Sequence, residues 1–335
     1  DKRKRKMAAM ESTKAVLRTG SVMPLVGLGT WKIPKDITAS SIVEAIKLGY
    51  RHLDCACDYG NEKQVGEGIR QAIDAGLVSR EELWVTSKLW CTYHAKEHVP
   101  LAINKTLEDL GLSYVDLYLI HFPIALKFVP METRYPPEWV HDPTSATPCM
   151  EYSKVPMFET WGAMENLVTT QKAKNIGVCN VTSAGLRDIL SYAKIPPAVL
   201  QIERHPYLQQ PKLLKMCQNE NVFVVGFSPL GSGSYVELGG ATVDDSPLQN
   251  PVIVNIAKDV NKTPAQVVLK WGVQSGAGII PKSSNPKRLA DNLDLFDFEL
   301  STEQMKEMSS LDQHRRFNDP GVFTTFMGSF CPIFD

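Results

Sequence analysis

The chain has 335 residues and 37.3 kDa, with hydrophobic residues at 43%, charged residues at 22% and a formal net charge of -1. That balance is ordinary for a globular protein and gives no electrostatic case for nucleic acid or membrane as partner; no apolar run approaches the roughly 20 residues of a membrane span. Seven cysteines, with no Cys-x-x-Cys pair and no zinc spacing, fit a reducing compartment, and the charged N-terminus lacks the apolar region of a secretory signal, so a cytoplasmic location is expected.

The basic opening Asp1-Lys2-Arg3-Lys4-Arg5-Lys6 has the charge of an address for anionic surfaces. Met7 or Met10 could be the natural start, so residues 1–10 read as a disordered leader or a non-native remnant. Two short apolar runs between Lys14 and Leu28 flank the turn cluster Arg18-Thr19-Gly20-Ser21 and predict an opening β-hairpin. Strand and helix patterns then alternate: strand Val26 to Trp31, helix 38–48, strand Tyr50 to Asp54, helix 61–74, strand Leu83 to Lys88, helix 100–110, strand Val115 to His121, helix 157–172. The rhythm continues through strand Asn175 to Asn180, helix 182–193, strand Ala198 to Glu203, helix 211–219, strand Val222 to Ser228, a helical region 251–275, strand Gly278 to Ser283 and helix 286–293.

About eight such units predict an α/β fold, a (β/α)8 TIM barrel, although spacing alone leaves an open doubly wound sheet as the alternative. The strand ends favour the barrel, because Trp31, Asp54, Lys88, His121, Asn180, Gln201 with Glu203, Ser228, and Lys282 with Ser283 would meet on one face. Residues 11–335 are expected to form one domain, including a C-terminal substrate loop. Segments 123–156, 229–250 and 312–335 are too long for plain connectors, and Phe128, Tyr135, Trp139, Phe317, Phe323, Phe326 and Phe330 in two of them are expected to wall a pocket.

Carbonyl reduction puts negative charge on oxygen as hydride arrives, so it needs a proton donor and further donors aimed at that oxygen. Tyr59 suits the first role. Lys88 would lower its pKa, Asp54 would hold the lysine charged, and His121 would orient the carbonyl. Each residue alone also has an ordinary structural reading; four at neighbouring strand ends point to chemistry. No Rossmann fingerprint is present to hold a hydride donor. Instead Pro281-Lys282-Ser283-Ser284-Asn285-Pro286-Lys287-Arg288 ends a strand and opens a helix, offering amides, hydroxyls and basic groups to a phosphate, with Ser228-Pro229-Leu230-Gly231-Ser232 positioned to wrap a pyrophosphate.

Two other chemistries fit parts of the sequence. His94-Ala95-Lys96-Glu97-His98 matches an inverted zinc-protease pattern, but Pro100 should push His98 and Val99 ahead of the helix, so no metal site is expected. A barrel glycosidase pairing Asp54 with Glu203 would leave Tyr59, Lys88 and the basic cluster unexplained.

The ordered series Gly27-Leu28-Gly29-Thr30-Trp31, Asp54 with Tyr59, Ser87-Lys88-Leu89-Trp90, Asp116-Leu117-Tyr118-Leu119-Ile120-His121, Gln201-Ile202-Glu203, Ser228-Pro229-Leu230-Gly231 and Ile280-Pro281-Lys282-Ser283 resembles the aldo-keto reductases from about Val22 onward. The resemblance implies Asp54, Tyr59, Lys88 and His121 as catalytic residues and a nicotinamide dinucleotide as cofactor. It implies Thr30 and Trp31 beside the cofactor, Asn180 and Gln201 on the carboxamide, and Phe227 stacked on the ring. Ser228, Leu230 and Ser232 would line the pyrophosphate; Lys282, Ser283, Asn285 and Arg288 would hold a 2′-phosphate, with Asn292 near the adenine. NADPH is therefore expected, with NADH as the weaker alternative.

His121-Phe122-Pro123, His205-Pro206-Tyr207 and Arg316-Phe317-Asn318-Asp319-Pro320 are most similar to the aldose and xylose reductase branch. That branch implies Trp31, Trp90 and Phe122 as an aromatic wall, Asn318 on a sugar hydroxyl, an aldehyde or aldose substrate, and a monomer or homodimer. A cofactor-sensing or structural barrel without turnover is the non-enzymatic alternative.

Overall fold

The computed structural model describes residues 13–334; residues 1–10 and the expectation about them lie outside the described residues. The expected hairpin forms from β1 (Lys14–Val16) and β2 (Val22–Pro24), paired antiparallel, with Gly20 at φ 83 in the turn. Positive φ there is a conformation that glycine adopts without a Cβ penalty. Leu17 and Met23 of the hairpin pack with Trp84, Leu117, Val199 and Val225. Trp84 and Val199 begin their strands, so the hairpin covers the N-terminal end of the barrel.

The barrel strands are β3 (Leu28–Gly29), β4 (His52–Asp54), β5 (Trp84–Leu89), β6 (Val115–Ile120), β7 (Ala173–Cys179), β8 (Val199–Glu203), β9 (Phe223–Phe227) and β10 (Gly278–Ile279), each hydrogen-bonded to the next in chain order. Every pairing is parallel. The ring closes through a parallel bridge between Val26 and Ile279, where Gly27 N–H donates to Ile279 O and Ile279 N–H to Leu25 O, both at 2.8 Å. The first and last strands are shorter than the sequence suggests. Pro281 has no N–H to extend the ladder, and Thr30 N–H donates to Asp54 O at 3.0 Å as the last rung between β3 and β4.

Strands β5 and β6 are buried at every position, as parallel strands sheathed by helices must be. Alternation then divides their side chains. In β5, Lys88 points to the barrel mouth, while Ser87 points to the helix layer and donates to Glu62. The helix Glu62–Asp74 sits close to its neighbours: a Cβ on Gly66 would meet Leu110 O at 2.5 Å, and one on Gly68 would meet Ala39 O at 2.6 Å. That close approach fixes the segment carrying Tyr59.

Most expected helices appear within a few residues of their expected limits. The region 251–275 is instead two helices, Pro251–Asp259 and Pro264–Gln274, broken where Asn261 takes φ 52 and Thr263 caps the second. The third helix starts at Val99, with Pro100 in its first turn, so Val99 does not precede it as expected; proline is tolerated there because those N–H groups lack helical partners. Thr302–Ser309 is a helix the hydrophobic pattern did not reveal, capped by Ser301. Among the described residues no helix is long and apolar enough to cross a membrane.

Candidate active site

Asp54 ends β4, Lys88 lies near the end of β5, His121 follows β6, and Tyr59 sits in the 3-10 turn Cys57–Tyr59 after β4. The fold brings all four together. Lys88 is fully buried, and its ammonium donates to Asp54 Oδ1 at 2.5 Å, Cys55 O at 2.8 Å and Tyr59 Oη at 3.1 Å. The Tyr59 and His121 rings meet edge-on at 5.8 Å. Gln201, in the middle of β8, donates from Nε2 to Asp54 Oδ2 at 2.7 Å, so both carboxylate oxygens are engaged.

Burial works against the charge on Lys88, yet the Asp54 carboxylate beside it holds the ammonium pKa above its ordinary value. Burial and then the Lys88 charge push His121 well below its ordinary value, leaving a neutral imidazole. The expectation that Lys88 would pull Tyr59 below the usual phenol range is not met. Burial is the larger effect and raises the phenol, with Lys88 opposing it, so Tyr59 keeps its proton and remains available as a donor.

Apart from Thr30 and Trp31, the residues expected at the cofactor sit on β7 to β10 or in the segments that follow those strands. Asn180, at φ 57, donates through Nδ2 to His121 O at 2.8 Å, while its Oδ1 is buried without a partner. Ser232 Oγ is likewise buried and unpartnered. An amide and a phosphate oxygen would satisfy these two atoms, so the residues present fit a nicotinamide dinucleotide. Phe227 and Leu230 are half-buried on either side of Ser228, whose φ is 47. Lys282, Asn285 and Arg288 are exposed, Ser283 is buried, and Asn285 caps the helix Pro286–Leu293 by accepting from Arg288 N–H at 3.1 Å. Asn292 is buried, with its side chain on the Tyr50 hydroxyl. Thr30 directs its hydroxyl to Asp54 O at 3.0 Å, which braces β4 from the side.

Trp90 and Phe122 stand beside His121 at 5.3 and 5.1 Å between ring centres, and Trp139 joins them at 4.7 Å from Trp90. Phe323 of the tail reaches Trp139 at 5.3 Å, closing this wall, and Trp31 faces Tyr235 at 5.8 Å. Other aromatic groups expected in the wall lie elsewhere. Phe128 stacks on His98 at 3.7 Å, Tyr135 lies under Lys105, and Phe326 and Phe330 face solvent at 87% and 71% exposure. A long loop has two faces, and four of the seven aromatic residues expected in the wall turn away from it.

Both alternative chemistries lose their residues. Glu203 is fully buried; Oε1 lies 2.9 Å from His205 Nε2 and accepts from Phe317 N–H at 2.8 Å, and Oε2 accepts from Asn318 N–H at 2.8 Å. With Asp54 also saturated, neither carboxylate is free to act on a glycosidic bond. His94 is buried, Glu97 is exposed and His98 stacks on Phe128, so the three do not converge. Among the described residues no group of three or more histidine, cysteine, aspartate or glutamate side chains is placed to hold a metal.

Residues 25–313 match the model of the aldo/keto reductase family. The chain is 45% identical to a probable NAD(P)H-dependent D-xylose reductase of Aspergillus clavatus, over 96% of this chain and 97% of that one. It is 49% identical to an NADPH-dependent D-xylose reductase of Meyerozyma guilliermondii, over 91% and 96%. Among solved structures it superposes on an aldose reductase from Schistosoma japonicum with a TM-score of 0.83 at 34% identity, covering 93% of this chain and 96% of that one.

Proposed function

The chain belongs to the aldo/keto reductase family, and from that premise we propose that it reduces aldoses, D-xylose foremost, and simple aldehydes to alcohols with NADPH. The observation that carries this reading is the buried Lys88 ammonium shared by Asp54 and Tyr59, which has no purpose in packing alone. Removing two charges from water costs several kcal/mol unless they are well paired.

A bound reduced nicotinamide supplies the hydride. Tyr59 donates its proton to the developing alkoxide, and the neighbouring Lys88 ammonium stabilises the phenolate left behind. Asp54 holds Lys88 charged, and Gln201 holds Asp54. Neutral His121 donates a hydrogen bond to the carbonyl and sets its angle without adding a competing positive charge. Asn180 and Gln201 would meet the carboxamide, Phe227 and Trp31 would border the ring, and Ser228, Leu230 and Ser232 would line the pyrophosphate. Lys282, Ser283, Asn285 and Arg288 would hold the 2′-phosphate, with NADH a weaker donor for want of that group. Trp90, Phe122 and Trp139 exclude water, and Asn318 meets a sugar hydroxyl. A cytoplasmic site of action and a monomer or homodimer complete the proposal.

The test is the loss of NADPH absorbance on adding D-xylose, repeated with NADH. Turnover favouring NADPH supports the reading. Tight cofactor binding without turnover on xylose or any simple aldehyde would replace it with a sensing or structural barrel.

A further inference from the structure

Tyr235 takes no part in the chemistry above, yet it stands where the long loop after β9 meets the C-terminal tail. Its side chain is buried, with the ring 5.8 Å from Trp31 and stacked on Phe317 at 5.9 Å and 18°. Its hydroxyl lies 2.8 Å from Ser228 Oγ and 3.4 Å from Asn318 Nδ2. The Asn318 backbone is pinned, because the Phe317 and Asn318 N–H groups both donate to Glu203 at 2.8 Å. Only the side chain of Asn318 retains a choice of orientation. Its Oδ1 is buried and has no partner.

A phenol has one proton to give and lone pairs to receive. If Tyr235 gives its proton to Ser228, the oxygen facing Asn318 is an acceptor, and the amide must present Nδ2–H to it. Oδ1 is then left facing away, as an acceptor for a ligand donor. If Tyr235 lost its hydroxyl, the amide would be free to turn, and its NH2 could take the place of Oδ1.

We propose that Tyr235 is a specificity-determining positioning residue: bonded to Ser228, its hydroxyl fixes the Asn318 amide so that Oδ1 accepts from a hydroxyl of a polyhydroxylated substrate. The proposal rests on the aldose reading above and assigns the polarity of its sugar subsite. An unsubstituted aromatic aldehyde has no hydroxyl to offer, so it does not sense that polarity.

Tyr235→Phe keeps the ring between Trp31 and Phe317 and removes the hydroxyl. With saturating NADPH, the ratio of the KM for D-xylose to that for benzaldehyde should rise about five-fold or more over wild type, the rise being carried by KM rather than kcat. Xylitol titrated into the protein, followed by tryptophan fluorescence, should bind more weakly by a similar factor. In Asn318→Asp, whose two oxygens are alike, adding Tyr235→Phe should change the ratio by less than about two-fold. An unchanged ratio in Tyr235→Phe, or an equal further change in the Asn318→Asp background, overturns the assignment. Failure of the wild type on xylose overturns the aldose reading and this proposal together, and is seen before any variant is made.

Discussion

Gln201 donates from Nε2 to Asp54 Oδ2 at 2.7 Å, which ties the carboxylate beside Lys88 to a strand on the far side of the barrel. Strand β8 thus helps to orient the charge pair carried by β4 and β5. Gln201→Leu removes this donor and leaves a buried acceptor unsatisfied. The expected cost is roughly 1–3 kcal/mol in urea unfolding at pH 7, with a fall in kcat of about 3–10-fold. Unchanged stability and kcat would show that the bond is incidental.

Lys88 and Asp54 are 0% and 1% exposed, so each depends on the other for its charge. Lys88→Met strands a buried carboxylate and should cost roughly 3–5 kcal/mol of stability. The double variant Asp54→Asn with Lys88→Met should recover at least half of that loss while both remain inactive. Urea unfolding of the three proteins checks the prediction, which fails if the double variant is less stable than the single one.

Much of this arrangement was legible in the sequence, because β-strands end where apolar runs end. Asp54, Lys88 and His121 each close such a run, and parallel strands place those ends on one face. The Gln201 link was not legible, since periodicity shows which residues share a face and not which side chains meet across it. Glu203 is the sharper case. As a carboxylate at a strand end it looks reactive, but besides His205 its partners are backbone amides more than a hundred residues away in sequence. The helix Thr302–Ser309 is not legible because it buries only Met308 and so carries almost no apolar stripe.

Glu203 anchors the tail through two amide hydrogen bonds and so should govern its mobility. Glu203→Gln replaces one acceptor oxygen with an amide NH2 that faces an N–H donor or His205. Stability should fall by roughly 1–3 kcal/mol, and trypsin should cut at Arg315 or Arg316 several-fold faster than in wild type. An unaltered cleavage rate would mean that the aromatic contacts of Phe317 hold the tail without the carboxylate.

Burial pushes His94 down from the usual 6.5 to about 4. Below pH 6.5 the unfolded chain takes up a proton that the folded one refuses, so stability present above that pH is lost as pH falls towards 4. His94→Gln should reduce the loss between pH 7 and pH 5 by roughly 1–2 kcal/mol, measured by urea unfolding at both. Glu62, raised to about 7 by burial, acts in the opposite direction in both proteins, so their difference isolates the histidine. Parallel pH profiles would contradict the prediction.

The central claim is that Tyr59 delivers the proton while Lys88, 3.1 Å from its hydroxyl, stabilises what remains. The most direct test compares NADPH-dependent reduction of D-xylose by wild type and Tyr59→Phe, with NADPH binding followed by quenching of protein fluorescence. The account predicts a fall in kcat of at least about 100-fold with cofactor affinity changed by less than about three-fold. A variant that retains more than about a tenth of wild-type kcat while binding NADPH normally would contradict it.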